Sequence, residues 1–468
     1  MKPVIATRAP NGRAHACAPK EAASKARAIL GRGGSAGLWS QQSINVRNAP
    51  ARAGLGRYIG AMTQSYDDQN THNLDTGRIL YLALAAAVAT STSYTVQPEL
   101  ALIAADLNAS LAVTSAAAGM PIIGYMLGLA LLVPLVDRTP AHVLIPSQLV
   151  ALAGALALSA LAPSVEVFGA GLLLSGICAS TGAQMSTLAA KHSAPERQGW
   201  ALGSVTAGIS AGILLGRMLG GGLTDAVGWR AMLVLVAAAC LACAALGRAL
   251  LPRYVPRAPS SWLSGLISAP RLLRAYPELL IAAGAGALWF FAFSLVWVGV
   301  SLALSLPPHS LPPTMVGLYS LAGLAGMAAT PWAGRLADRF GSKVVVMIGL
   351  FLAVACTLAA AAGLGVAPLT LTALALFDVG LFSAQVANQR RVLRLDPLRP
   401  AQLNSIYMVI YFVGGSLGSA AGGPIVSAFG WPIAAGTAAL AMILALVLYG
   451  CGAPAADGVG TPSSAPGE

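Results

Sequence analysis

Gly334-Arg335-Leu336-Ala337-Asp338-Arg339-Phe340-Gly341-Ser342-Lys343 is a polar loop set between two apolar runs, 315–333 and 344–363. Its glycines permit a tight turn and its charges prefer water. Each flank holds about the 20 apolar residues that a helix needs to cross a bilayer. A shift of 201 residues brings up Val133-Pro134-Leu135-Val136-Asp137-Arg138-Thr139-Pro140-Ala141-His142, which keeps the Asp and the Arg. The same shift lays Ala183-Gln184 on Ala384-Gln385, and a shift of 202 lays Pro195 and Arg197 on Pro397 and Arg399 and Gly228-Trp229 on Gly430-Trp431. The chain is therefore a duplication.

Extending the apolar reading from this loop gives twelve spans, numbered in chain order: 79–97, 114–136, 143–162, 167–190, 201–224, 231–251, 279–304, 315–333, 344–363, 369–387, 403–427 and 433–449. Composition agrees. Of 468 residues, 56% are hydrophobic and only 9% charged, against about 25% charged in soluble domains. A soluble enzyme, a disordered protein and a disulfide scaffold are excluded, and an all-α membrane protein remains. The six cysteines are scattered, five of them in or beside apolar segments, and form no disulfide framework. The net charge of +12 is no nucleic-acid footprint, because the basic residues sit mainly in residues 1–61 and in short loops. Loops 2–3, 4–5, 6–7, 8–9 and 10–11 hold fifteen Lys and Arg, and the opposite loops hold one, Arg230. Basic residues stay on the cytoplasmic side, so both termini are expected inside.

Residues 1–61 are Arg-, Ala- and Ser-rich with Glu21 as their sole acid. They read as a disordered or misassigned extension ahead of Met62, with a transit peptide as the competing reading. The expected organisation is a first six-helix bundle over 62–251, a basic linker over 252–277, a second bundle over 278–451 and a disordered tail over 452–468. The linker's Trp262, Leu263, Leu266, Ile267, Leu272 and Leu273 could form a surface helix, interrupted by Pro270.

Span 5 carries Gly208, Gly212, Gly216 and Gly220, and span 11 carries Gly414, Gly418 and Gly422. Four-residue spacing puts each ladder on one face, where small residues let helices approach. Each ladder also contains a G-x-S-x-G, around Ser210 and Ser416. A hydrolase elbow needs a strand-turn-helix and a His–acid pair; both copies sit mid-span without them, which favours packing.

Two six-helix halves with an acidic–basic loop after spans 2 and 8 resemble the major facilitator superfamily, whose loop motif G-x-x-x-D-R-x-G-x-K is matched in full by 334–343. The resemblance covers about 79–449. Gln97-Pro98, Gly216-Arg217, Phe377-Asp378-Val379-Gly380, Asn388-Gln389 and Leu403-Asn404-Ser405-Ile406-Tyr407-Met408 are similar to bacterial inner-membrane permeases of the drug- and sugar-efflux type. The resemblance implies two bundles rocking about a central cavity. It puts spans 1, 4, 7 and 10 on that cavity and spans 2, 5, 8 and 11, glycine ladders included, at the contacts between bundles. It assigns gating at the cytoplasmic edge to Asp137, Arg138, Gly334, Asp338, Arg339, Gly341 and Lys343. For the degenerate first copy, simple positive-inside anchoring is an equal reading.

Asp378 lies about midway along span 10. An ionised Asp at that depth costs about 2.5–3.5 kcal/mol on insertion scales. A carboxyl that holds a proton in one cavity state and releases it in the other is a coupling device; the bland reading is a structural hydrogen bond. Arg217 lies inside span 5, roughly 25 Å from its cytoplasmic end at 1.5 Å per residue. It needs a partner, for which Asp378, Glu99 and Asp106 compete, or it pins the first bundle. Gln184 and Gln385 occupy duplicate positions, facing either the cavity or a neighbouring helix. Gln97, Tyr94, Tyr125, Trp289, Phe293 and Trp297 could line a cavity, although the face of the last three equally suits lipid or core. Cys240-x-x-Cys243 lacks further metal ligands, and no nucleotide-binding loop occurs.

The expectation is a monomeric, proton-coupled efflux carrier of a small organic molecule in a bacterial-type inner membrane, without cofactor, metal or nucleic acid. The alternatives are an uncoupled facilitator, a proton-coupled uptake carrier of the same fold, and a non-transporting scaffold.

Overall fold

A computed structural model describes residues 74–194, 197–253, 271–396 and 399–451. The extension at 1–61, most of the linker at 252–277 and the tail at 452–468 lie outside the described residues. Every regular element among the described residues is helical, the solution lipid imposes on a chain that must satisfy its own backbone.

Nine helices among the described residues are each long and apolar enough to cross a bilayer. One of them, Pro400–Cys451, is two spans, because Gly430 turns the chain with φ +78° inside it. Span 1 is broken and its first helix holds only 16 residues, whereas the 18-residue helix of span 8 carries Arg335, Asp338 and Arg339 and is too polar to be counted. Together these are the twelve expected spans.

Span 1 corrects the continuous helix expected at 79–97. Asp75 accepts a hydrogen bond from the Arg78 N–H and starts a helix that runs only over Thr76–Ser91. Residues 92–99 then pass through turns, and a short helix follows at Leu100–Asp106. The cause is local. The hydroxyls of Ser91, Thr92 and Thr95 donate to the carbonyls of Val88, Ala89 and Ser91, competing with the helix ladder, and Pro98 has no N–H to offer. Span 8 is likewise composite: Pro313–Leu318, a 3-10 turn at Tyr319–Ala322, then Gly323–Phe340. Span 4 comprises Val165–Ala179 and Thr181–Lys191, joined at Ser180.

The duplication is visible in the turns and in the packing. Gly228, between spans 5 and 6, and Gly430, between spans 11 and 12, adopt φ +85° and +78°, a region in which a side chain is strained. Gly341 does the same between spans 8 and 9, at +84°. Span 1 packs on span 5 as span 7 packs on span 11; spans 2 and 4 pair as spans 8 and 10 do, and spans 3 and 6 as spans 9 and 12 do. The two bundles meet through spans 2 and 11 and through spans 5 and 8. Large apolar side chains such as Ile348, Phe351 and Phe429 are exposed on the outside of the bundles, where lipid covers them.

The glycine ladders do not lie where the resemblance put them. A Cβ at Gly208, Gly212, Gly216 or Gly220 would land on the backbone of Ala83, Ala87, Ser91 or Thr95 in span 1. At Gly414 and Gly418 it would land on Ala287 and Phe291, and at Gly422 on Val298, all in span 7. Both ladders therefore seal a bundle from within. The seam between bundles uses other glycines. Gly221 rests on the Pro313 carbonyl of span 8, and Gly423 rests on Ser115 and the Leu111 carbonyl of span 2. These two contacts are images of one another under the 202-residue shift.

Candidate functional site

The break in span 1 carries Gln97 inward toward span 5, and Gly216 lets span 5 come close enough to use it. The Arg217 Nε donates to Gln97 Oε1 at 2.8 Å. The guanidinium lies over the Trp297 ring at 4.3 Å and the Tyr94 ring at 5.0 Å from their centroids, geometry suited to cation–π attraction. The Trp297 Nε1 in turn donates to Asp378 Oδ1 at 3.3 Å. Arg217, Gln97 and Asp378 are only 4%, 3% and 2% exposed, so the Asp378 carboxyl faces the protein interior and not lipid. Gly323 and Gly326 of span 8 leave room beside it, since a Cβ at either would meet Asp378 atoms at 3.3 and 2.9 Å.

The order Gln97, Arg217, Trp297, Asp378 crosses from one bundle to the other. Arg217 and Asp378 act on each other through space and line one small cavity, but Trp297 stands between them in place of a direct ion pair. The other partners considered for Arg217 do not pair with it. Asp106 pairs with Arg230 at 2.8 Å; Glu99 does not reach Arg217, and its buried carboxyl oxygens accept no hydrogen bond among the described residues.

A second cavity of about 150 Å³ lies beside Leu381, Phe382 and Gln385, on the C-terminal side of Asp378 along span 10. Tyr94, Trp289, Phe293 and Gln385 line it, so the aromatic face of span 7 meets a cavity. Gln385 Oε1 accepts from the Tyr407 hydroxyl at 2.7 Å. Gln184 does not share this place: its amide donates to the Leu132 carbonyl at 2.6 Å, joining spans 4 and 2 inside the first bundle. Phe290, Phe382, Tyr411 and Phe412 also line the cavity and were not singled out from the sequence. Phe382 and Gln385 stand four and seven residues after Asp378, the helical repeat that would have grouped them.

The loop 334–343 is tied to its own bundle. Asp338 accepts from Arg390 and Arg394 at 3.1 and 3.3 Å, and Arg390 also donates to the Gly334 carbonyl at 2.6 Å. Lys343 donates to the Gly450 carbonyl at 3.1 Å, while Arg339 lies over Phe340. In the first copy Asp137 ends a 3-10 helix, Val133–Asp137, with Arg138 beyond it; without the glycines the loop takes a different course. Nearby, the Tyr276 hydroxyl donates to Asp396 at 2.9 Å, and this bond raises its pKa above that of an ordinary tyrosine. At the opposite ends of the spans the bundles are pinned together. Asp225, closing span 5, accepts from the Thr314 N–H that opens span 8, at 2.8 Å, supplying an anionic cap that Pro312 cannot. Contact continues inward through Ser320 Oγ to the Leu214 carbonyl at 3.2 Å and through the Tyr125–Phe412 rings at 5.1 Å.

The family pattern of the Major Facilitator Superfamily matches residues 82–401. The probable transporter SCO4007 of Streptomyces coelicolor is 32% identical over 354 residues, 75% of this chain and 81% of its own. The putative uncharacterized transporter YgaY of Escherichia coli K12 is 29% identical over 367 residues, 77% of this chain and 90% of its own. Among solved structures, a bacterial homologue of the human lysosomal transporter Spinster, inward-facing and unoccupied, superposes with a TM-score of 0.62 at 15% identity, over 79% of this chain and 94% of that one. These relatives are carriers and not enzymes, and with twelve spans in two related bundles this chain belongs to the Major Facilitator Superfamily.

Proposed function

We propose that this multi-pass membrane protein exports a small organic molecule in exchange for protons, with Asp378 as the proton-carrying group. One observation carries the reading: a buried carboxyl and a buried guanidinium from opposite bundles are bridged by Trp297. Arg217 keeps its charge at any relevant pH. Its attraction to ionised Asp378 draws span 5 of one bundle toward span 10 of the other, and a proton on Asp378 removes that attraction. Proton binding is thereby tied to the parting of the seam that spans 5 and 8 form. Substrate enters the aromatic cavity, the bundles rock, and the side of access changes. With the basic loops cytoplasmic, as the positive-inside rule directs, both termini are inside. The seam that is closed here, at Gly221, Asp225 and Gly423, is then the outer one.

Purified protein in proteoliposomes tests this. An imposed pH gradient should drive flux of a transported compound in the wild type and fail to do so in Asp378→Asn. Gradient-driven flux of wild-type size in that variant eliminates Asp378 as the coupling group. Flux indifferent to the gradient in both proteins favours an uncoupled facilitator of the same fold.

A further inference from the structure

The size, walls and one orphaned donor of the aromatic cavity narrow what it can hold. We propose that it takes a single uncharged planar ring bearing a hydrogen-bond acceptor, an inference that rests on the transport reading above. The volume is about 150 Å³. An apolar cavity of about that size holds one benzene, whereas drug-sized ligands occupy about 300–1,000 Å³. One wall is flat: the Phe290 and Tyr411 rings lie 4.2 Å apart and within 4° of parallel. Phe293 and Phe382 stand nearly perpendicular to each other, with centroids 6.2 Å apart. Such surfaces receive a ring by offset stacking on one side and by its edge on the other.

The donor is Trp289. Its side chain is 1% exposed, and its indole N–H approaches the Tyr411 hydroxyl without completing a hydrogen bond to it or to any other group. A buried donor left unpaired is destabilising, and an acceptor on a bound ring relieves it. Gln385 spends its carbonyl on Tyr407, which leaves its amide nitrogen as a second donor. Both groups donate, so the ring must accept. The absence of charge follows from Phe293 and Phe382, which line this cavity and the small one that holds Arg217 and Asp378. Among the described residues no charged side chain lines the aromatic chamber itself, and the Arg217 guanidinium lies behind its Tyr94 and Phe293 rings, 5.0 and 5.9 Å from their centroids. A charged ring would be buried among aromatics without a counter-ion, and the charged pair stays free to handle the proton.

The test uses the purified full-length chain at neutral pH, with saturation-transfer NMR titrations of benzamide, cyclohexanecarboxamide and benzoate. Benzamide should bind at least tenfold more tightly than the puckered amide and than the anion. Trp289→Phe keeps a ring and removes the N–H, and should weaken benzamide five- to tenfold, the worth of one ordinary hydrogen bond. Ile213→Phe, which fills the chamber without touching the donor, should abolish binding even if Trp289→Phe does not fold. Equal affinity for the three probes, no benzamide binding by folded wild type, or unchanged affinity in folded Trp289→Phe or Ile213→Phe overturns the proposal. Benzamide bound by both proteins, beside wild-type flux that is indifferent to the gradient, leaves the ring site standing and sinks proton coupling. Gradient-driven flux lost in Asp378→Asn, with no benzamide bound by the wild type, does the reverse.

Discussion

Trp297 does two things with one side chain: its ring face holds Arg217 and its N–H holds Asp378. Trp297→Phe separates them. The cation–π contact survives, and a hydrogen bond to a carboxylate, worth about 1.5–3 kcal/mol, is lost. Gradient-driven transport should fall about tenfold or more in that variant, and its melting temperature should fall with the lost hydrogen bond; undiminished transport would show that the indole N–H is idle. Gln97→Leu strands the other end. A buried Arg deprived of its acceptor is strongly destabilising, so this variant should lose yield and melting temperature as well as transport, by several degrees in a thermal scan. Counting residues along the spans put Arg217 and Asp378 about 10 Å apart in depth, and depth says nothing of azimuth. That Gln97 would meet Arg217 on its far side depended on the break in span 1.

That break shows where reading by hydropathy stops. Ser91, Thr92 and Thr95 pass as tolerable residues in a membrane helix, since transfer scales score side chains and not the competition of hydroxyls for backbone carbonyls. The glycine ladders teach the same lesson. A four-residue repeat identifies a face that demands close approach, and it does not name the neighbour. Inside a bundle that demand is about folding; at the seam it is about conformation. Gly212→Ala should therefore impair folding by about 1–3 kcal/mol, the range for overpacking, read as lost expression and melting temperature. Gly221→Ala, placed against Pro313 of the other bundle, should fold normally and shift the protein toward states with that seam open. Asp225→Asn removes the charge that caps span 8 and should bias the same equilibrium by about 0.3–1 kcal/mol. Distances between spin labels at Val227 and Phe429, both exposed at the seam end of the spans, would record either shift. A distribution identical to wild type in both variants would contradict the role given to this seam.

Twelve spans, their doubling and the sidedness of their charges were legible because lipid imposes them residue by residue: apolar length, closed backbone bonding and basic loops on one side. Partnership between the halves was legible only as far as symmetry reaches. The pairs 1–5 and 7–11 repeat, and so do the seam contacts of Gly221 and Gly423, but Arg217 and Asp378 have no duplicate in the other half. The function proposed here sits on that departure from symmetry. Each bundle supplies one charge to the contact, and in the proposed mechanism a proton on Asp378 changes the relation of the two bundles. The most direct measurement is the spin-label distance between Val227 and Phe429 as a function of pH, in wild type and in Asp378→Asn. Acidification should move the wild type toward longer distances, and Asp378→Asn should occupy that longer distribution at every pH. A wild-type distribution indifferent to pH, or a pH response that survives in Asp378→Asn, would contradict the account.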